Sequence, residues 1–378
     1  MSQRFTKSLR DILYKLRTEG TSPEKQAGAV AAGVLIGCSP FYGFHLALCL
    51  LFARLFRLNP ALTYLAAHVS LPGLWPLLVL AELETGRRLR GQSFVHVHVA
   101  DLKHLGLRQV GGDLLLGSAV IGGLLALALG FLTFWAARRR QLRPEIEGLI
   151  EGAAKAYLDS GLLHWEFVRG KLRHDPLYFN LLRRGLLPPE GRLLDLGCGR
   201  GILFALLLAA RERAEQGQYP EGWAPPPSLS LHGIESRPKT AKVARKALAG
   251  EAGIETADLR TAELPAADAI LLLDVLHYLP ATDQETLLAK AAAALALGGG
   301  LLLREADAAA GWRFTATRAQ ERLSALFRRD WRQRFHYRSA AEWERLLREL
   351  GMRVETQPMG MGTPYANVLL AARRGGGP

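Results

Sequence analysis

The chain is poor in cysteine and short of acids for its bases, and it has no secretory leader pattern. Its 378 residues hold 3 cysteines, Cys38, Cys49 and Cys198. Three isolated thiols make neither a disulfide framework nor a metal-ligand spacing. A stapled, oxidised fold is therefore excluded, and a reducing cytosol is expected for the soluble part. The N-terminal stretch lacks a continuous apolar core and a cleavage pattern, so no signal peptide is expected. Asp and Glu number 35 against 48 Lys and Arg, for a formal net charge of +13. Such an excess points to an anionic partner, either nucleic acid or anionic lipid. The arginines stand beside apolar segments and on helices, without an aromatic-basic ladder, which favours a membrane surface over nucleic acid.

Apolar residues make up 49% and charged residues 22%, near the globular average. The average hides two unlike halves. Residues 27–137 are strongly apolar, while residues 145–378 alternate like a soluble α/β domain. The length predicts two or three domains.

In the segment 1–26, Phe5, Leu9, Ile12, Leu13 and Leu16 recur at helical spacing opposite Arg4, Lys7, Arg10, Lys15 and Arg17. This predicts an amphipathic helix lying on an anionic bilayer, or a solvated helix packed on the next domain. Residues 27–140 read as a helical membrane domain. Its first apolar stretch, 27–56, breaks at Ser39-Pro40-Phe41-Tyr42-Gly43. Proline removes a helix hydrogen bond, so the stretch is one kinked span or two half-length helices in a re-entrant hairpin. A second stretch, 61–83, is interrupted by Pro72 and Pro76. A third, Leu114–Ala137, carries no charge and spans roughly 36 Å as a helix, enough to cross a bilayer. Arg138, Arg139, Arg140 and Arg143 follow it, which places that end in the cytoplasm. A hairpin at 27–56 followed by two crossings would keep both termini cytoplasmic and put loop 84–113 outside. That loop holds His96, His98 and His104, but no third close ligand accompanies the alternating pair, so no metal site is expected.

Gly33, Gly37, Pro40, Gly43, His45, Leu58 and Asn59 carry a pattern that resembles a small bacterial membrane domain of uncharacterised function. The resemblance covers residues 20–140. It implies membrane embedding and no chemistry.

The second half is organised around residues 192–201. Leu193, Leu194 and Leu196 read as a buried parallel strand, and Ile202–Ala210 as the helix after it. Between them Gly197, Gly199 and Gly201 permit a sharp turn and close approach to a ligand. A nucleotide-like ligand binds at that end of a strand in α/β folds. Asp195 would oppose a phosphate there but suits a cation. The string D-L-G-C-G-x-G resembles the first motif of class I S-adenosylmethionine (SAM) methyltransferases, whose ligand carries a sulfonium and an ammonium.

The resemblance implies that Asp195, Gly197, Cys198, Gly199 and Gly201 hold the methionine end. Glu235, closing the second strand 229–234, would accept the ribose hydroxyls. Asp258 and Leu259 would meet the adenine, and Asp274, after the fourth strand 269–273, completes the cofactor set. In this family the segment before the first strand often closes over the cofactor. Residues 141–190 therefore read as helical linker and lid, with Lys171, Tyr178 and Phe179 as acceptor or lid candidates. The same aromatics could instead fill the core.

The turn Asp274-Val-Leu-His-Tyr278 differs from the N/D-P-P-aromatic turn of enzymes that methylate exocyclic or amide nitrogens. It also lacks the nucleophilic cysteine of RNA 5-carbon methyltransferases. His277 suits a general base for a phenol, enol or carboxyl oxygen, or it packs beside the cofactor at a helix start. Residues 212–230 form an insertion without an assigned role. Residues 324–330 and 340–350 read as helices, and 353–356 with 366–372 as a closing antiparallel hairpin. Residues 191–372 thus read as a Rossmann-like α/β domain with a mostly parallel seven-stranded sheet, followed by a disordered tail, 373–378. The K-L-R-x-D-P-x-Y and G-T-P-Y-A-N-V-L-L strings are similar to methyltransferases of aryl-polyene pigment synthesis.

The expected protein is a methyltransferase of the bacterial cytoplasmic membrane, with its soluble domain facing the cytoplasm. It would move a methyl group from SAM to a hydrophobic or membrane-associated small molecule, such as a polyketide, an aryl-polyene or a lipid. The alternatives are a membrane scaffold or carrier with a cofactor-binding sensor, and an RNA methyltransferase drawn by the basic charge.

Overall fold

The computed structural model describes residues 22–69, 75–92, 107–139, 142–327, 333–360 and 362–375. The amphipathic segment 2–19 and His96, His98 and His104 lie outside them. The chain forms two compact units, Met1–Leu142 and Arg143–Pro378.

The first unit is helical: α1 (Pro23–Cys38), α2 (His45–Phe56), α3 (Pro60–Ala66), α4 (Trp75–Leu89) and α5 (Leu107–Arg139). Ser22 caps α1, its side chain accepting from the Lys25 amide, and Asn59 caps α3 by accepting from Leu62 at 3.0 Å. The break at Ser39–Phe44 yields two separate helices, with Gly43 at φ +89° and His45 Nε2 3.2 Å from the Ser39 carbonyl. Gly33 and Gly37 have a packing reason. A Cβ at either would strike the backbone at Thr63 or Ala67, so α1 and the α3 segment meet backbone to backbone. Gly86 and Gly117 do the same between α4 and α5.

The expected hairpin and two crossings have one counterpart of crossing length. Among the described residues, only Val110–Arg139 is long and apolar enough to cross a membrane. The described parts of the second apolar stretch are α3, a single 3-10 turn and the start of α4, which carries Glu82, Glu84, Arg87 and Arg88. Its 15 residues reach only about 22 Å. By contrast, α5 runs unbroken and leaves Leu124, Leu127, Phe131 and Trp135 exposed.

The second unit opens with α6 (Pro144–Lys155), α7 (Leu162–His174) and α8 (Pro176–Arg183). It continues through β1 (Glu190–Leu196), α9 (Ile202–Glu215), β2 (Ser228–Ile234), α10 (Pro238–Leu248) and β3 (Ala252–Glu255). Then come β4 (Ala267–Leu273), α11 (Ala281–Ala294), β5 (Leu295–Ala306), α12 (Trp312–Phe327), α13 (Ala340–Glu349), β6 (Met352–Pro358) and β7 (Asn367–Arg374). The seven strands run in the order β3-β2-β1-β4-β5-β7-β6. The first five are parallel, and β7 and β6 close the sheet as an antiparallel hairpin. Leu194, Leu196, Ile270, Leu272, Leu301 and Leu303 bury one face, with Trp343 of α13 packed on it. Such near-continuous apolar strands are what a sheet covered on both faces requires.

Three boundaries differ from expectation. Helix α9 continues to Glu215, so the insertion shrinks to residues 216–227, and Trp223 within it packs 5.9 Å from the Phe179 ring. Helix α12 begins at Trp312, well before residue 324. Arg373 and Arg374 are strand rather than tail, because β6 pairs with them through Met352 and Arg353.

Candidate functional site

The strand order reverses between β1 and β4, and the glycine turn stands at the carboxyl end of β1. Gly197, Gly199 and Gly201 take φ of +85°, +59° and +72°, a region that side chains other than glycine seldom adopt. A Cβ on Gly197 would collide with Val275, and one on Gly201 with Leu248. The amides of Gly197 and Cys198 donate to the Ile234 carbonyl at 2.8 and 3.1 Å, which ties the turn to β2.

Two buried acids lie beneath this turn. Asp195 and Glu235 are 4% and 3% exposed. Burial, followed by the Glu235 charge, pushes the Asp195 carboxyl up to about 7. Glu235 Oε1 accepts from the Arg237 amide and Nε at 2.9 Å each, while Oε2 looks toward Gly199, 4.0 Å from where a Cβ would stand. Cys198 is buried, and burial raises its thiol well above the ordinary range, so it is inert at neutral pH. This donor set fits SAM. A desolvated carboxylate raised in pKa gains from a cationic ligand, and Gly199 leaves open space beside Glu235.

Asp258 sits apart from that pair and is half-exposed. The Arg260 guanidinium grips both its oxygens, with Nη2 at 2.6 Å, and the Arg260 amide adds a further bond at 3.0 Å. Leu259 is buried in the core beside Ile234.

A cavity of about 370 Å³ opens at the ends of β4 and β5, beneath α7. His277 lines it from a 3-10 turn, Leu276–Tyr278, rather than from a helix start. Glu305, at the end of β5, builds this position. Its Oε1 accepts from the Val275 and Leu276 amides at 3.0 and 2.7 Å, and its Oε2 lies 2.7 Å from His277 Nδ1. The other ring nitrogen, Nε2, is buried without a hydrogen-bond partner. Burial works against a charged ring, but the Glu305 carboxylate outweighs it and raises the His277 pKa. The Tyr337 ring stacks on the imidazole at 5.4 Å and 10°. Glu305 was not singled out from the sequence, although an acid closing the fifth strand was its visible signal.

Arg304 precedes Glu305 on β5 and is 2% exposed. It bonds Asp175 at 2.6 and 2.8 Å and both oxygens of Asp274, with Nε to Oδ1 at 2.9 Å. Asp274, expected among the cofactor residues, is thus an ion-pair partner on the cavity wall, held at φ +59°. Asp175 caps α8 and also pairs with Lys171 at 2.8 Å. Burial raises its carboxyl, but Arg304 and Lys171 overcome that and hold it far below the carboxylate range. Of the three lid candidates, only Lys171 lines the cavity. Tyr178 is buried, and Phe179 faces Trp223 in the insertion.

A family described as a methyltransferase domain matches residues 164–357, more than half of the chain. The chain belongs to the methyltransferase-domain family. It is a SAM-dependent enzyme with the Rossmann-like fold of that family. Residues 6–145 of this methyltransferase match a second family, described as an uncharacterized protein conserved in bacteria (DUF2062). Solved structures similar to it include an O-methyltransferase family protein from Burkholderia thailandensis, at 19% identity over 86% of this chain and 88% of that one, TM-score 0.44. Another is magnesium protoporphyrin IX methyltransferase from Synechocystis PCC 6803 with bound SAH, at 19% identity over 64% of this chain and 94% of that one, TM-score 0.37. Among curated proteins, none matches.

Proposed function

We propose that the second unit methylates an oxygen of a small hydroxylated or enolic acceptor held in the cavity, with His277 as general base. The observation that carries this reading is the pair of His277 nitrogens: Nδ1 fixed by Glu305, Nε2 buried, unpartnered and on a cavity wall.

Bound SAM supplies an electrophilic methyl group on a sulfonium. Asp195 holds the cationic methionine end, Glu235 accepts the ribose hydroxyls, and the glycine turn lets the backbone approach. Asp258 and Leu259 serve the adenine, with Arg260 fixing the Asp258 carboxylate. The residues of this chain mostly orient the reactants, since an in-line displacement needs little else. His277 Nε2 would take the acceptor proton as the acceptor oxygen receives the methyl group, whose bond to the SAM sulfur would break. Glu305 keeps the imidazole in the tautomer that leaves Nε2 free and stabilises the imidazolium that results. Lys171 lines the same cavity and would meet a polar group of the acceptor.

In this reading α5 anchors the enzyme in the bacterial cytoplasmic membrane. Arg138 and Arg139 mark its cytoplasmic end, and the second unit starts at Arg143, on the same side. Acceptors made or stored at the bilayer would then lie near the site.

The test is comparative metabolite and lipid profiling of strains carrying wild-type, Asp195→Ala or His277→Asn protein. The reading predicts a compound one methylene lighter accumulating in both variants. Loss of SAM binding in Asp195→Ala with an unchanged product profile would leave only a cofactor sensor and contradict the proposal.

A further inference from the structure

A second cavity, of about 820 Å³, adjoins the first and has no place in the reaction described above. Its walls are α12, the segment 333–337 and Ala308. Phe314, Arg318, Arg322 and Ala325 recur along one face of α12, and Arg334 faces them from the other wall. Thr317, Gln320 and Glu321, on the adjoining face of the helix, line the His277 cavity. Three guanidinium groups therefore border one hollow, and among the described residues none of them pairs with a carboxylate. The one acid on α12, Glu321, lines the His277 cavity and accepts from the Tyr278 hydroxyl at 3.2 Å.

Tyr337 is common to both cavities. Its ring stacks on His277 on one side and meets Phe314 edge-on at 5.0 Å on the other. Its hydroxyl is buried without a hydrogen-bond partner. Phe335 continues the aromatic wall 6.0 Å from both His277 and Tyr337, and Arg318 lies 5.9 Å over the Phe314 ring. The reacting corner and the arginine cluster are thus one aromatic ring apart. The wall carries two buried polar atoms without a hydrogen-bond partner, His277 Nε2 and the Tyr337 hydroxyl.

We infer that the methyl acceptor is an anion: its nucleophilic oxygen meets His277 in the first cavity, and its carboxylate or phosphate lies among Arg318, Arg322 and Arg334 in the second. This rests on the methyl-transfer reading and adds the substrate class to it. Guanidinium forks match both oxyanions in geometry, and such charge-assisted bonds are the strong ones. The flat body of the acceptor lies along Tyr337 and Phe335, and the Tyr337 hydroxyl is satisfied by it. Because the anionic group sits away from the reacting oxygen, the product keeps its charge after methylation.

The test incubates full-length protein with methyl-tritiated SAM and the small-molecule extract of the host bacterium, then passes the products over an anion exchanger at neutral pH. Retained label supports the inference. Phosphatase treatment separates a phosphate monoester from a carboxylate, and partition into organic solvent separates a lipid from a soluble acceptor. Label that passes through unretained overturns the inference while leaving methyl transfer intact. Label confined to RNA or protein overturns it as well. Absence of any transferred label overturns the methyl-transfer reading itself, and this one with it. Arg318→Gln with Arg322→Gln should raise KM for the retained acceptor about tenfold or more. It should leave kcat and SAM affinity near wild type, and the double Lys replacement should recover part of the loss. An unchanged KM in the Gln variant would contradict the assignment.

Discussion

Asp195 and His277 are perturbed in ways that make the proposed chemistry visible to a titration. The Asp195 carboxyl, raised to about 7 by burial and by Glu235, carries a proton in much of the free protein near neutral pH. A cation bound beside it would drive that proton off. SAM affinity should therefore weaken by up to about tenfold per pH unit below that value, with one proton released on binding. His277 must be neutral to act as a base, so kcat should rise with pH through its pKa. Glu305 places that limb above the ordinary histidine value. Glu305→Gln should move the limb to lower pH and lower the plateau, because a less basic imidazole is easier to deprotonate but a weaker base. His277→Asn should cost about a hundredfold to ten-thousandfold in kcat with SAM affinity retained. The pH–rate profiles of the three proteins check both statements. Much of this site was legible in the residue string: the glycine turn, Asp195, Glu235 and His277 all stand out by order and spacing. Glu305 and Arg304 were not. They lie in a run that reads only as a strand, and their partners are 28 or more positions away.

At the scale of elements, the main device is the contact between the lid and the sheet. Arg304 on β5 reaches Asp175 at the α7–α8 junction and Asp274 after β4, so one buried guanidinium fixes the roof and the floor of the cavity. Arg304→Met would leave Asp274 without its cation and Asp175 with Lys171 alone. It should destabilise the second unit by about 3–5 kcal/mol. Adding Asp175→Asn and Asp274→Asn should recover a large share of the loss, as read by hydrogen exchange of α8 in the full chain. No recovery would mean that shape, not charge, holds the junction. In the first unit the glycines play the corresponding part. Gly37→Leu should separate α1 from the α3 segment, seen as loss of a monodisperse, protease-resistant protein in detergent. Strand positions followed well from apolar runs, since those strands are buried on both faces. Helix ends followed poorly. Helix α12 has polar and charged residues around most of its circumference, because one face lines the first cavity and the other the arginine cluster, so its apolar period is weak. In the second apolar stretch of the first unit the composition suits a membrane, but the described helices there, Pro60–Ala66 and Trp75–Leu89, are each too short to cross.

At the scale of the whole molecule, an unbroken apolar helix ending in arginines is followed by a SAM-dependent methyltransferase domain. Membrane anchoring then predicts that the full chain stays in the pellet through alkaline carbonate extraction, and that deleting residues 107–139 releases it. Release of the intact chain by salt alone would reduce the basic excess to surface adsorption. The charge of +13 was legible from composition, but its use was not. Part of it ends the long apolar helix, part forms internal ion pairs such as those of Arg304 and Arg260, and part lines the second cavity. The account rests on a cradle built for a cationic nucleoside-like ligand. Calorimetric titration of the full-length protein with SAM, from about pH 8 to about pH 6, tests this most directly. The predicted result is saturable binding that weakens with falling pH, releases a proton, and disappears in Asp195→Ala. Binding that is indifferent to pH and to Asp195→Ala would contradict it.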